Sequence, residues 1–325
     1  MTRAEIDLDL RPATMSDSGA VAGLETARNP DDPADPDMVR FWWSTTPADE
    51  VHTRLVAVRG GSAVAYVMAR HRPWVDGAER FGSMRILLHP ELWSPDRYGS
   101  LIDLGESWLR GQQGSVAVIR LLATFVDEHR FIEARGYGEV RRGRRWELDV
   151  VANRAGLLAG AEVSRKRMQE QGVRVLKLDE DDDPDRFAKL YEMTVEAEQD
   201  IPTTVPTLVM PYDEWHHLWF DNPGIRTDRM WIAREGAAIV GLSALEFPPA
   251  YGCPWTAFTA TARNVRGRGI ARALKYESVA QAIALGADRI RTENDGENAP
   301  ILHVNAEMGY APIDPVLELH RRLAP

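Results

Sequence analysis

Cysteine is almost absent from this sequence, since Cys253 is the only one in 325 residues. Because one thiol cannot form an intrachain disulfide or a Cys-x-x-Cys zinc site, a stapled extracellular scaffold and a cysteine zinc fold are both excluded. The adjacent histidines His216 and His217 point to different sides of a helix and make a poor metal pair. We therefore expect a protein of the reducing cytoplasm that holds no metal.

Long apolar runs and an excess of basic residues are also missing. No stretch approaches the roughly 18 apolar residues of a membrane helix, and residues 1–7 contain no apolar signal-peptide core. Lys and Arg number 39 against 49 Asp and Glu, which gives a net charge of −10. Nucleic-acid binding needs a basic footprint. The sequence thus predicts neither a membrane nor a nucleic-acid partner, and an amine-bearing ligand suits its acidic character.

The order of predicted elements occurs twice along the chain. Each half runs strand, helix, hairpin, strand, helix, strand, helix, Gly-Tyr and strand. The Arg-x-Gly turn at Arg59 recurs at Arg234, and the Gly-Tyr pair that contains Tyr137 recurs at Tyr310. A repeat of this length indicates duplicated domains. We predict a first domain over 1–152, a connecting helix over 153–172 and a second domain over 173–325.

The most informative stretch is 259–310. It begins with a strand of small residues, 259–262, followed by Arg-Gly-Arg-Gly-Ile-Ala at 266–271 and a helical run to about Leu285. A strand, a glycine-rich turn and a helix together form an anion cradle, because backbone N–H groups and the helix N-terminus face the ligand. Gly267 and Gly269 would let the backbone approach a phosphate closely.

Two nucleotide motifs compete for this cradle. A P-loop requires Lys-Ser/Thr after its glycines, and nothing supplies them here. A dinucleotide fingerprint that starts at Gly267 would place Arg272 where a small residue must pack. Asp288 and Glu293 do lie near the distance at which that motif needs an acid. A nucleotide-dependent enzyme therefore stays a weaker alternative.

The pattern Arg-x-x-Gly-x-Ala, here Arg266, Gly269 and Ala271, resembles the pyrophosphate loop of the GCN5-related N-acetyltransferase (GNAT) superfamily. The strand before it looks like the family's strand that pairs with the pantetheine arm. Asn298 and the later Gly309-Tyr310 resemble the helix and strand that follow in the family. The segment is similar to actinobacterial two-domain members, with a tandem arrangement like that of mycothiol synthase.

The resemblance implies an α/β (α+β) fold of two tandem GNAT-like domains. Each would have a mixed, mostly antiparallel sheet, helices on both faces and a splayed central strand pair. It also implies acetyl-CoA as co-substrate, direct transfer of the acetyl group to a small-molecule amine, and a monomer or homodimer. The cofactor contacts it implies are Thr259, Ala260, Thr261, Arg266, Gly267, Arg268, Gly269, Ile270, Ala271, Asn294, Asn298 and Asn305.

Direct attack by an amine needs a base to remove its proton. The candidates are Glu246, Glu196, Glu198 and Asp200. Glu246 is preferred because an acid is uncommon at the end of an apolar strand. For Glu196 and Glu198, a solvated helix face is the simpler interpretation.

The position where the family commonly has its proton donor for the departing thiolate offers none in this chain. The family commonly has a tyrosine where this chain has Asn305, and an amide cannot give up a proton usefully. Tyr276, Tyr251 and Tyr310 are stand-ins, although Tyr310 is expected to pack as the aromatic of the Gly-Tyr pair. The alternative function is therefore a catalytically silent acyl-CoA-binding or structural protein.

The first half departs further from the family pattern. At the place of the loop it has Asp-Arg-Tyr-Gly-Ser-Leu, residues 96–101, so that Asp96 stands where the arginine would be. Phe125 replaces Asn298, and Ile132 replaces Asn305. We expect this half not to bind acetyl-CoA.

Overall fold

The structure is a computed structural model that describes residues 8–74, 76, 79–201, 203–205, 208–295 and 298–324. Residues 1–7, for which no signal-peptide core is expected, lie outside the described residues. The chain forms two compact units. Unit 1 takes the described residues of Met1–Gly143, Ala250–Gly252 and Asp314–Pro325, and unit 2 takes Arg144–Pro249 and Cys253–Ile313.

The first half of the chain forms six strands and four helices within its described part. Asp35 and Ser94 each cap a helix that begins with proline, because their side-chain oxygens accept backbone N–H groups of the first turn. The elements are β1 (Arg11–Pro12), α1 (Ser18–Arg28), α2 (Pro36–Ser44), β2 (Val51–Arg59), β3 (Ser62–His71), β4 (Phe81–Leu88), α3 (Pro95–Gly111), β5 (Val116–Leu122), α4 (Val126–Ala134) and β6 (Gly138–Asp149).

The second half repeats this order after a long helix. Its elements are α5 (Val150–Glu170), β7 (Arg174–Lys177), α6 (Arg186–Glu198), α7 (Tyr212–Phe220), β8 (Met230–Glu235), β9 (Ala238–Glu246), β10 (Trp255–Thr261), α8 (Ile270–Ala284), β11 (Arg289–Asp295), α9 (Ala299–Met308) and β12 (Ala311–Arg322). None of the helices within the described part of the chain is both long and apolar enough to cross a membrane.

Unit 1 contains a mixed sheet in the order β1-β2-β3-β4-β5-β12. Its neighbours are antiparallel except for β4 and β5, which run parallel. Alternate side chains of β3 serve two cores: Ala65 and Val67 face one that contains α3, and Tyr66 faces one that contains α1. Helices therefore cover both faces, as the predicted fold class requires.

Unit 2 contains the sheet β6-β11-β10-β9-β8-β7, in which β10 and β11 are the parallel pair. Trp215 and Leu190 cover one face from α7 and α6, while Leu274 of α8 and Met168 of α5 cover the other. The expected α/β fold with mostly antiparallel sheets and helices on both faces is confirmed.

The units differ from the expected division of the chain in their last strands. β12 pairs along residues 316–322 with β5, so that the end of the chain completes the sheet of unit 1. Residues 144–149 of β6 conversely belong to unit 2. Both strands follow a Gly-Tyr pair, and neither sequence names its partner strand, so the sequence does not reveal which sheet each one joins.

The helix that was expected to connect the domains is part of unit 2. α5 packs along α8 and buries Leu157, Ala161 and Met168. Asp149 caps it by accepting the N–H of Ala152. This helix is consequently a structural element of the second unit, because one of its faces is apolar and covered.

Candidate functional site

The two parallel strands of unit 2 separate almost at once. Among the residues that the structure describes, β10 and β11 pair only at Trp255 and Arg291, where the Arg291 N–H donates to the Pro254 carbonyl at 2.9 Å. Beyond this point the β10 edge that faces β11 has no strand partner within the described part of the chain. Such an edge accepts an extended ligand that offers amides of its own.

A β-bulge lies next to the separation. The pairing of β10 with β9 shifts between Thr256 and Phe258, so that Ala257 has no residue opposite it. Bulges bend a strand and change the direction of its backbone groups. The bulge therefore marks the closed end of the gap between β10 and β11.

The open end of the gap meets the predicted anion cradle. Gly267 and Gly269 adopt φ values of 78° and 87°, which favour glycine, and Gly269 is the N-cap of α8 without a side-chain cap. The first N–H groups of a helix have no partner within it, and its dipole favours an anion there. Backbone N–H groups at the start of α8 are thus available for a phosphate.

Basic side chains surround this helix start. Arg266 pairs with Asp200 at 2.6 Å, and Arg268 pairs with Glu235 at 2.9 Å. Arg167 of α5 also lies here, with its guanidinium 3.3 Å from the position of a Cβ on Gly269. Among the residues that the structure describes, no carboxylate is paired with Arg167, so its charge faces the cradle uncompensated.

Asp200 is placed as a counter-ion to the arginines. It accepts hydrogen bonds from Arg263, which it also pairs with at 2.7 Å, and from Arg266. These bonds hold the pKa of the Asp200 carboxyl well below its usual range. A carboxylate with so low a pKa is a poor proton acceptor, so the geometry opposes the role of base considered for Asp200.

We expect Asp200→Asn to tighten acetyl-CoA binding by roughly two- to fivefold, because it frees two partly exposed arginines for the diphosphate. Glu235→Gln is the matched variant at Arg268 and should act in the same direction. Isothermal titration with acetyl-CoA measures both. A large loss of kcat in Asp200→Asn with unchanged binding would instead support Asp200 as the base.

The preferred base candidate lies at the closed end of the gap. Glu246 is the last residue of β9 and stands opposite Trp255 of β10. Its carboxylate accepts a hydrogen bond from the Asn222 side chain at 2.9 Å. Of the other acids, Glu196 accepts the Arg263 N–H at 3.2 Å, and Glu198 is exposed at the end of α6.

The predicted cofactor residues divide into three groups. Thr259 and its neighbours are half-buried along β10. In the turn, Arg266 and Gly267 are exposed, while Arg268 and Gly269 are half-buried. Ile270 is buried in the core under α8, so only its backbone is available to a ligand. Asn298 is exposed at the N-cap of α9, whereas Asn305 is fully buried and donates to the Asn294 side chain at 2.7 Å.

Lys275 on α8 is a further polar residue of this site that is not among the residues expected from the sequence. Its side chain is 1% exposed, its amine donates to Asn305, and it lies 4.5 Å above the ring of Tyr310. Burial lowers the pKa of the Lys275 amine to about 7. The signal in the sequence is weak: a lysine next to Leu274 within an amphipathic helix.

Among its described residues, unit 1 has neither an early separation of its parallel strands nor an uncapped helix start at the corresponding places. β4 and β5 stay paired over four residues, from Phe81 opposite Val116 onward. The start of α3 is already capped, because the Ser94 hydroxyl accepts the Arg97 N–H, and Asp96 adds a negative charge there. Such a helix start offers less to an anion than that of α8.

Comparison with known proteins assigns a family to this part of the chain. Residues 166–310 match the profile of the acetyltransferase (GNAT) family. This stretch, which contains the gap and the cradle, is therefore a GNAT domain, and the resemblance inferred from the sequence is confirmed. No curated protein matches the sequence.

Solved structures extend the likeness to both units. A GCN5-related N-acetyltransferase from Sphaerobacter thermophilus has a TM-score of 0.67 at 19% identity, covering 97% of this chain and 96% of that chain. A tandem GNAT protein from the clavulanic acid biosynthesis pathway has a TM-score of 0.75 at 16% identity, covering 98% and 99%. At such identities the likeness establishes the fold, which is a tandem GNAT arrangement.

Proposed function

We propose that this protein transfers an acetyl group from acetyl-CoA to the amine of a small molecule by direct attack, with its active site in unit 2. The observation that carries the proposal is the gap between β10 and β11, which leads to the uncapped start of α8. The family match supports acyl transfer in general. Acetyl-CoA and a small-molecule amine are the proposed substrates.

The dimensions of the gap suit this cofactor. The diphosphate would bind N–H groups of 267–271, with Arg167, Arg266 and Arg268 supplying positive charge. The pantetheine arm would extend β10 as an added strand. From Ala262 back to the bulge at Ala257 is about six residues, or roughly 20 Å of extended strand. An extended pantetheine arm has a similar length, so the thioester would lie beside the bulge.

The acceptor would approach from the end of β9. Glu246 is proposed to take the proton that the attacking nitrogen loses, directly or through a water, and Asn222 holds its carboxylate in place. An amine with a pKa near that of lysine is mostly protonated at neutral pH, so a base is needed. The net charge of −10 is compatible with a cationic acceptor.

A coupled assay tests the function. The protein is incubated with acetyl-CoA and a panel of small amines, including aminosugars and polyamines, while free thiol is followed with a chromogenic reagent. The proposal predicts amine-dependent thiol release. Binding of acetyl-CoA without release on any amine would favour a silent acyl-CoA-binding protein. Thermal stabilisation by NAD or ATP but not by CoA would favour a nucleotide-dependent enzyme.

A further inference from the structure

Lys275 is unusual because, within the described part of the chain, its buried amine has neutral partners alone. Lysine is almost never fully buried unless it is paired with a charge. Here the amine contacts the Asn305 amide oxygen and the face of the Tyr310 ring. Among the residues that the structure describes, no carboxylate forms an ion pair with it. Its burial therefore opposes folding whenever the amine is charged.

Four elements bring this amine to the closed end of the gap. Lys275 lies on α8, Asn305 on α9 and Asn294 on β11. Tyr310 follows α9, and its hydroxyl approaches that of Thr256, the residue before the bulge on β10. Because the proposed thioester lies beside the same bulge, the amine of Lys275 is on the side of the departing sulfur.

The hydroxyls at this point are ready for a ligand. Those of Tyr310 and Thr256 are buried and lack a well-formed hydrogen bond among the described residues, and the Tyr310 side chain is almost fully enclosed. The corresponding tyrosine of unit 1, Tyr137, donates instead to buried Glu106 at 2.9 Å. An unsatisfied buried hydroxyl costs free energy, so the contrast between Tyr310 and Tyr137 indicates a functional place in unit 2.

We propose that the ammonium group of Lys275 donates a proton to the CoA thiolate as it leaves, with Asn305 and the Tyr310 ring holding the donor in place. The inference rests on the proposed function. The nitrogen of the acceptor amine forms a bond to the thioester carbonyl carbon, and the C–S bond breaks. The sulfur takes its proton from Lys275, while the proton lost by the attacking nitrogen goes to Glu246. Solvent then returns a proton to Lys275 and removes one from Glu246.

The surroundings determine when Lys275 is charged. On its own helix Glu277 pairs with Arg165 of α5 at 2.7 Å, and Arg272 pairs with Glu307 of α9 at 2.5 Å. On β8, Glu235 pairs with Arg268, and on β9, Glu246 is held by Asn222. The Tyr310 ring lies beside the amine, and burial raises the pKa of its hydroxyl, so that hydroxyl stays neutral. On β11, Arg291 pairs with Glu147 at 2.7 Å. Desolvation alone lowers the pKa of Lys275.

The test compares Lys275→Met with wild type at saturating acetyl-CoA and amine. Methionine has a similar length but no proton to donate. We expect kcat to fall by about 100-fold or more, as is typical for loss of a general acid, while the Kd for acetyl-CoA changes less than about twofold. In wild type kcat should decline as pH rises through about 7, because the donor must be protonated. The variant should lack that decline.

Two controls make the outcome decisive. Ser278→Ala, one turn further along α8, removes a buried hydroxyl that donates to the Leu274 carbonyl, and it should retain kcat. Lys275→Arg keeps a positive charge but does not release a proton near neutral pH, so kcat should stay low. Full activity in Lys275→Met or in a folded Lys275→Arg would overturn the inference. If wild type releases no thiol with any amine, the proposed function fails before any variant is compared.

Discussion

Gly267→Asp is expected to abolish acetyl-CoA binding, with an increase in Kd of at least 100-fold. Gly267 is exposed at φ 78°, and a Cβ there would meet no atom within 4 Å. The new carboxylate would therefore fit sterically, yet it would stand within the cradle. A like charge about 4 Å from a phosphate costs on the order of 4 kcal/mol near a protein surface. That penalty far exceeds the strain of a non-glycine residue at this φ, about 1–2 kcal/mol.

Gly286→Asp supplies a matched control. Gly286 follows the C-terminal end of α8, away from the cradle, at φ 86°; it is exposed and also has open space around its Cβ position. Both variants should lose similar stability, measured as the midpoint of thermal unfolding without ligand. Only Gly267→Asp should lose binding in isothermal titration. Equal Kd values for the two variants would show that the glycine turn does not hold the diphosphate.

The free energy of unfolding should rise with pH between about 7 and 10.5 because of Lys275. Its pKa is lowered in the folded state, from 10.5 to about 7. Between these values the unfolded chain binds more protons than the folded one, so raising the pH favours folding. Below about pH 7 the amine is charged in both states and the full penalty of burial applies. The slope from this one group is at most about 1.4 kcal/mol per pH unit.

Lys275→Met isolates this contribution from the other titrating groups. Denaturant unfolding of both proteins, followed by tryptophan fluorescence, gives the difference in unfolding free energy at each pH. The variant should be more stable than wild type at pH 6.5, and its advantage should shrink by pH 9. If the variant is less stable at every pH, Lys275 is an ordinary structural residue.

The cradle could be predicted from the sequence because its signals are local. Gly267 and Gly269 have to adopt positive φ, and their spacing before an amphipathic helix is visible in the printed order. The resemblance that this local segment carries also implied the fold class, whereas the repeated order of elements indicated two domains. Turns and helix starts depend on residues close in the chain, which is why the printed order shows them.

Long-range pairing limited the rest of the prediction. β12 pairs with β5 of the other half of the chain, and the pattern of a strand sets which side chains it buries but does not name its partner strand. Arg167 lies within the predicted connecting helix, yet the packing of α5 places its guanidinium at the start of α8. Asp200 is a possible base by sequence alone, but Arg263 and Arg266, which lower its pKa, are more than 60 residues away along the chain.

The proton donor is a second example of a feature that depends on residues far apart in the chain. Asn305 alone indicated that the proton donor was missing, because an amide cannot replace a tyrosine in that role. Lys275 is 30 residues away along the chain and reaches Asn305 only through the packing of α8 beside α9. A resemblance assigns roles to matching positions, so it does not identify a proton donor that lies on a different helix.

The stoichiometry of acetyl-CoA binding tests the central claim most directly. Isothermal titration of the full chain should give one acetyl-CoA per chain, and titration of Gly267→Asp should give none. Two sites per chain would show that unit 1 also binds the cofactor. One site that survives in Gly267→Asp would place binding outside the gap between β10 and β11, and it would contradict the account.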